Sequence, residues 1–154
     1  MLDLGCGAGR HAKQLALHGF QVTGLDLSES SIAAAKLQHT PGAQFYRHDM
    51  RVPFGNCRFH YVFSFFTSFG YFKSHVENNK VMNNISMSLR QGGTLVMDYL
   101  NVKYSEDHTT GNEKKEIDGV VYHITRWSDS THFYKKIVVE QGKFEFTEQV
   151  EKLR

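Results

Sequence analysis

Residues Leu2 to Arg10 read Leu-Asp-Leu-Gly-Cys-Gly-Ala-Gly-Arg, and no other stretch limits the fold as tightly. A short apolar run containing an acid meets glycines at positions 5, 7 and 9, then a helix-forming segment. Glycines at alternate positions let the chain turn sharply after a strand, through backbone angles that other residues avoid. They also let a ligand lie against the main chain with no Cβ in the way. A helix beginning directly after the turn presents free N–H groups. Strand, glycine turn and helix in this order place a nucleotide-type cofactor site at the carboxyl end of a parallel strand.

The dinucleotide fingerprint G-x-G-x-x-G needs its third glycine where this chain has Arg10, so it fails by one position. The pattern is instead acid-x-G-x-G-x-G, with Asp3 as the acid. A first helix is expected over Arg10 to His18, with Ala12, Leu15 and Ala16 on one face and Gly19 as its stop. A second strand, Gln21 to Leu25, ends at Asp26. An acid there can accept hydrogen bonds from both hydroxyls of a ribose. Nicotinamide enzymes use the same device, so Asp26 alone does not choose the cofactor. Ser28 caps the next helix, with Glu29 in its first turn. A third strand over Gln44 to Arg47 runs into His48-Asp49-Met50-Arg51. A fourth, Phe59 to Ser64, leads into the aromatic loop Phe65-Phe66-Thr67-Ser68-Phe69-Gly70-Tyr71-Phe72. Ser74-x-x-Glu77 is a capping box. It opens a helix to about Leu89, with Val76, Val81, Met82, Ile85 and Leu89 inward. Gln91-Gly92-Gly93 turns into a fifth strand, Thr94 to Leu100. Strands alternating with helices at this spacing predict an α/β, doubly wound parallel sheet.

Three acids at three successive strand ends, Asp3, Asp26 and Asp49, together with the glycine turn, resemble the class I S-adenosylmethionine-dependent methyltransferases. The resemblance covers residues 1 to about 101. It implies the Rossmann-like strand order 3-2-1-4-5 and S-adenosyl-L-methionine as cofactor. It also implies that Asp3 helps hold the ammonium of the methionine part. Gly5, Cys6, Gly7, Gly9 and Arg10 would form the turn under the ribose and methionine, and Cys6 is a small residue suited to it. Asp26 and Leu27 would serve the ribose. Asp49 would accept from the adenine amino group, Met50 would cover the ring, and Ser64 would border the site. The aromatic loop resembles the small-molecule N- and O-methyltransferase branch. On that basis Tyr71, Asp98, Tyr99 and Asn101 are the candidates for the acceptor side, with Asp98 either a base or a loop cap. Core packing is the reading preferred for at least two of Phe65, Phe66, Phe69 and Phe72. The implied chemistry is direct in-line displacement at a sulfonium methyl. The family usually has a proline where this chain has Gln91; the two following glycines keep the turn.

The last third changes character. Asp118-Gly119 is a type I′ hairpin signal between strands at Glu113 to Ile117 and Val120 to Trp127. Ser128 to Thr131 makes a second turn. Phe133, Ile137 and Val139 share one face of the next strand. Gln141-Gly142 turns into a fourth, with Phe144, Phe146 and Val150 on one face. Residues 112–150 therefore predict an antiparallel β meander with one apolar face. It serves as a structural cover, a homodimer surface or a substrate lid. The division expected is a partial cofactor-binding core over 1–101 and a β cover over 102–154, within one domain.

A length of 154 residues supports one domain with a real core. Eighteen basic against sixteen acidic side chains, with no basic tract, point away from nucleic acid and towards a small-molecule acceptor. No apolar run reaches transmembrane length, and no signal peptide is expected. Two distant cysteines fit a reduced, cytoplasmic setting. The nine histidines form no spaced ligand set, so no metal is expected. Only Met1 to Leu4 stand for a central strand that normally has five or six apolar residues, and the upstream helices of the family are missing. The chain is therefore expected to be an internal piece of a longer protein, or a reading frame clipped at both ends, and marginally stable. Two other readings stay open: a non-catalytic cofactor-binding or interaction fragment, and an NAD(P)-dependent oxidoreductase.

Overall fold

Leu2, Asp3 and Leu4 are each almost fully buried, and the larger sheet is built outward from them. The computed structural model describes residues 1–37, 39–65, 68–72, 74–108, 111–139 and 142–152. Phe66, Thr67, Gln141, Leu153 and Arg154 lie outside the described residues. The chain divides into two compact units: Met1–Phe69 with Lys73–Tyr99, and Gly70–Phe72 with Leu100–Arg154.

The first unit runs β1 (Leu2–Leu4), α1 (Arg10–Leu17), β2 (Val22–Asp26), α2 (Glu29–Leu37), β3 (Ala43–Arg47), β4 (Phe59–Ser64), α3 (His75–Ser88) and β5 (Leu89–Met97). Its five strands are parallel in the order β3-β2-β1-β4-β5, as expected. β1 is central. Asp3 stands opposite Gly24 of β2 on one side and Phe63 of β4 on the other. α1 and α2 close one face through Cys6, Ala12, Ala16, Val22, Ile32, Ala35 and Phe45. Two backbone positions make that packing possible. A Cβ on Gly9 or on Gly24 would lie 2.6 Å from the Phe45 ring. Phe45 thus fills the space that two side chains would have used, and α1 sits close on the sheet.

Two expectations are corrected around α3 and β5. Val81 and Ile85 face inward, but Val76 and Met82 are exposed. Asn78, Asn84 and Ser88 take the inward positions instead. Asn84 donates to the Met50 carbonyl at 3.0 Å and Ser88 to the Ile85 carbonyl at 2.8 Å. The Asn84 tie reaches outside the helix and holds that side chain inward, a contact that apolar periodicity does not register. The second correction concerns Gln91-Gly92-Gly93, which lies inside β5 and not before it. Phe59 pairs with Leu89 and Tyr61 with Thr94, so a bulge absorbs the extra residues. Gly92 has φ +76°, and a Cβ on Gly93 would lie 2.9 Å from the Arg90 carbonyl oxygen.

The second unit holds α4 (Val102–His108), β6 (Gly111–Ile117), β7 (Val120–Ser128), β8 (His132–Val139) and β9 (Phe144–Glu151). The four strands form an antiparallel meander in sequence order. Asp118 and Gly119 turn with φ +52° and +78°, as a type I′ hairpin requires. The expected apolar face carries Ile124, Ile137 and Phe146 side by side. It is also crossed by a charged row, Arg126, Lys135 and Glu148, which the sequence pattern did not reveal. Arg126 pairs with Glu113 at 2.8 Å and Lys135 with Glu148 at 3.3 Å. α4 was not foreseen. Asn101 caps it, its Oδ1 accepting from the Tyr104 N–H at 3.1 Å. Lys152 fixes it to the meander by pairing with Glu106 at 2.7 Å while lying over the Phe133 ring.

Gly9→Ala should cost more than about 2 kcal/mol, since positive φ and overpacking against Phe45 add. Gly7→Ala, where a Cβ meets nothing within 4 Å, should cost only the strain of φ +53°, about 1 kcal/mol. Urea unfolding midpoints compare the two; equal shifts would contradict the role given to Phe45.

Candidate cofactor site

The site grows from the turn between β1 and α1. Gly5, Gly7 and Gly9 all have positive φ. The N–H groups of Gly5 and Cys6 both donate to the Leu25 carbonyl, at 2.8 and 3.0 Å. The Gly7 N–H donates to Asp26 Oδ2 at 2.8 Å, and the Ser28 N–H to Asp26 Oδ1 at 2.8 Å. One carboxylate thus anchors the glycine turn and the start of α2 together. Each of its oxygens keeps room for a further donor. Ser28 Oγ caps α2 by accepting from the Ser31 N–H at 3.2 Å.

Asp3 lies beneath the turn, 1% exposed, and accepts from the Ala12 N–H at 3.1 Å. Burial is the main cause that lifts its carboxyl to about 6; the Ala12 hydrogen bond opposes this and the charge of Asp26 adds to it. Cys6 is packed into the core, and burial, with Asp3 and Asp26 beyond it, pushes its thiol up to about 12. Its side chain is a small filler; what the turn offers a ligand at this position is backbone. Gly9 faces Phe45, whereas the space beside Gly7 is open. Arg10 is exposed at the start of α1, with His11 at 3.4 Å. Leu27 is exposed next to Asp26, and its carbonyl accepts from Arg47.

The third acid is held differently. Asp49 is gripped by Arg51, with Nη2 to Oδ2 at 2.6 Å and Nε to Oδ1 at 3.0 Å, and its carboxyl lies below the usual range chiefly for that reason. The Met50 side chain reaches the glycine turn: its Cε would lie 3.8 Å from a Cβ on Gly5. Sequence reasoning missed Ser68. Its Oγ occupies the place of that Cβ, 2.4 Å away, and donates to the Phe65 carbonyl at 3.0 Å. A serine four residues beyond the fourth strand was the only signal. Ser64 is buried, and its carbonyl accepts from the Asp98 N–H at 2.9 Å.

Of the acceptor-side candidates, Asp98 and Tyr99 belong to the first unit and Tyr71 and Asn101 to the second. Tyr99 meets Phe69 edge-on, with centroids 6.4 Å apart. Asn101 is spent on capping α4. Burial, then Glu148, raises the Tyr71 phenol, so it stays protonated at neutral pH. Among the described residues, no group of three or more His, Cys, Asp or Glu is arranged to hold a metal. No helix among them is long and apolar enough to cross a membrane.

A methyltransferase-domain family model matches residues 1–93, more than half of the chain. The chain belongs to this family, in its class I S-adenosylmethionine-dependent form. A protein of a Geobacillus strain named as a methyltransferase is 33% identical over 111 residues, which is 70% of this chain and 44% of that protein. The dTDP-3-amino-3,4,6-trideoxy-alpha-D-glucopyranose N,N-dimethyltransferase of Streptomyces venezuelae is 31% identical over 98 residues, 64% of this chain and 41% of the enzyme. Among solved structures, an S-adenosylmethionine-dependent methyltransferase from Clostridium acetobutylicum superimposes with TM-score 0.79 at 21% identity, covering 98% of this chain and 65% of that one. The sugar N-methyltransferase KedS8 from Streptoalloteichus gives TM-score 0.74 at 22% identity, covering 97% and 63%. The chain thus spans less than half the length of the curated relatives and about two thirds of the solved ones.

The donor set fits the family's cofactor. S-adenosylmethionine presents donors and positive charge: two ribose hydroxyls, an ammonium, an adenine amino group and a sulfonium. The strand ends offer carboxylates. A dinucleotide would share the ribose contact of Asp26, but the third glycine of its diphosphate-binding turn is replaced here by Arg10.

The lifted Asp3 carboxyl has a sign that can be tested. Its folded value of about 6 exceeds its ordinary 3.8. Its contribution is complete below about pH 4 and is lost as pH rises through about 6, to a total of about 3 kcal/mol. Asp3→Asn keeps an acceptor for Ala12 and cannot ionise. The stability of the native chain minus that of Asp3→Asn should therefore fall across this window in denaturant titrations. A difference independent of pH would contradict the burial argument.

Proposed function

We propose that the protein transfers the methyl group of S-adenosylmethionine to a small-molecule acceptor, with the amine of a sugar as the favoured acceptor class. The observation that carries the reading is the Asp26 carboxylate, tied to the glycine turn and still able to take two donors. In it, Asp26 accepts from the ribose hydroxyls and Leu27 lies beside them. Gly5, Gly7 and the backbone of Cys6, Gly9 and Arg10 bound the ribose and methionine. Asp3 supplies negative charge from beneath the turn towards the ammonium. Asp49 reads the adenine amino group, Met50 covers the ring, and Ser64 borders the site with Ser68. Bound there, the cofactor supplies a methyl group activated by the sulfonium charge. The chain's own work is to align donor and acceptor and to exclude water.

On the acceptor side, Asp98 is the residue proposed to take a proton, because a carboxylate can accept one where the protonated Tyr71 cannot. Tyr99, in the same unit as Asp98, is proposed to orient the acceptor. The amine preference is supported by the amino-sugar substrate in the Streptomyces relative's name and by the sugar N-methyltransferase among the structural neighbours. Dispersed charge favours a small acceptor over nucleic acid. The β meander is proposed to pair two copies. Free Cys6 and Cys57 fit a reduced, cytoplasmic setting.

Calorimetric titration with S-adenosylhomocysteine and with NAD tests the cofactor. S-adenosylhomocysteine alone should bind, and Asp26→Ala should weaken it by about 1–3 kcal/mol. Binding of NAD in its place would refute the assignment. Methyl transfer to nucleotide-linked amino sugars, measured beside a phenolic acceptor, tests the acceptor class. Transfer to the phenol alone would exclude the amine reading.

A further inference from the structure

The Asp49 carboxylate is immobilised more firmly than a partly exposed acid after a strand needs to be. Arg51 holds it through Nη2 on Oδ2 at 2.6 Å and through Nε shared between Oδ1 at 3.0 Å and Oδ2 at 3.2 Å. The backbone N–H of Arg51 adds a bond to Oδ1 at 2.9 Å. The other arm of the guanidinium, Nη1, pairs with Glu77 Oε1 at 2.5 Å. Glu77 sits in the first turn of α3, whose capping Ser74 accepts from the Glu77 N–H. A second tie, from Asn84 of the same helix to the Met50 carbonyl, grips the residue between Asp49 and Arg51. The turn is therefore fastened to α3 at two points. A fork on both carboxylate oxygens fixes the plane of the group, which a point charge cannot do. Each oxygen takes two contacts, but the one Nε–H is shared, so three hydrogens serve four lone-pair places and Oδ2, where that shared contact is the longer at 3.2 Å, can take a further donor.

We propose that Arg51 is a positioning residue that gives the cofactor site its selectivity for a 6-aminopurine over a 6-oxopurine. The inference rests on the reading of Asp49 as the acceptor for the adenine amino group. A carboxylate held in one plane can only accept. An amino group at the purine 6-position meets Oδ2 with a donor, in the place held only by the long, shared Nε contact. A 6-oxo group brings a lone pair against it, and the held carboxylate cannot swing away to let water intervene. A carboxylate freed from Arg51 can rotate, hydrate and tolerate either group. Glu77 belongs to the device because it stops the guanidinium from following Asp49 when the carboxylate moves.

The test is calorimetric binding of S-adenosylhomocysteine and S-inosylhomocysteine to the native chain and to D49N, R51Q and R51K, with thermal unfolding of each variant alongside. The native chain should prefer the adenosine form by about 10- to 100-fold, the cost of one polar group left facing a like partner. D49N, which can turn a donor outward, should abolish or invert the preference. R51Q should reduce it to within about threefold while still binding both ligands. R51K keeps the charge without the fork and should lose most of the preference too. It also serves as the decisive variant if R51Q does not fold. A D49N chain with the native preference would overturn the reading of Asp49 and this inference with it. Loss of preference in D49N, with full preference kept in R51K, would overturn the role of Arg51 and leave the reading of Asp49 standing.

Discussion

The carboxylate of Asp26 accepts the N–H groups of Gly7 and Ser28, each at 2.8 Å, and the geometry of the site depends on that double contact. It joins the end of β2 to the turn after β1 and to the start of α2. A turn with three positive-φ glycines has wide conformational freedom in the unfolded chain, so something must hold it in one shape. The backbone bonds from Gly5 and Cys6 to Leu25 fix its base. Asp26 fixes its crest. The group that shapes the turn is also the one proposed to accept the ribose hydroxyls, so in that proposal binding and architecture share one side chain.

The three acids are managed in three ways. Asp3 is sealed beneath the turn with one backbone donor, and its carboxyl is lifted by burial. Asp26 is neutralised in part by two backbone dipoles. Asp49 is paired with a guanidinium that Glu77 shares. The charge of Asp26 adds to the cost of ionising Asp3, while backbone donors satisfy Asp26 and an ion pair satisfies Asp49.

Much of this was legible in the chain because glycine, proline and short polar residues act locally. The turn at Gly5 to Gly9, the caps at Ser28 and Ser74 and the hairpin at Asp118-Gly119 are all decided within a few residues. So is the alternation of strands and helices that sets the parallel order. What escaped was decided at a distance. On α3, Asn84 is held inward by reaching the Met50 carbonyl, thirty-four residues away, and apolar counting does not see it. The bulge in β5 depends on the register of β4. The charged row across the meander emerges only when Arg126, Lys135 and Glu148 come into line. Ser68 enters the site because Gly5 has no Cβ, a pairing of positions sixty-three residues apart.

Phe45 also carries a consequence for how this chain can change over time. Its ring stands where side chains at positions 9 and 24 would be. These three positions belong to a turn, a strand and a neighbouring strand, yet they form one volume. A smaller residue at 45 would open a void against two glycines at once, and a larger residue at either glycine has nowhere to go while the ring is present. Single steps in either direction therefore lose packing. Descendants should keep the three together or exchange them together, and the distance between α1 and the sheet, which sets the height of the glycine turn, moves only in such joint steps.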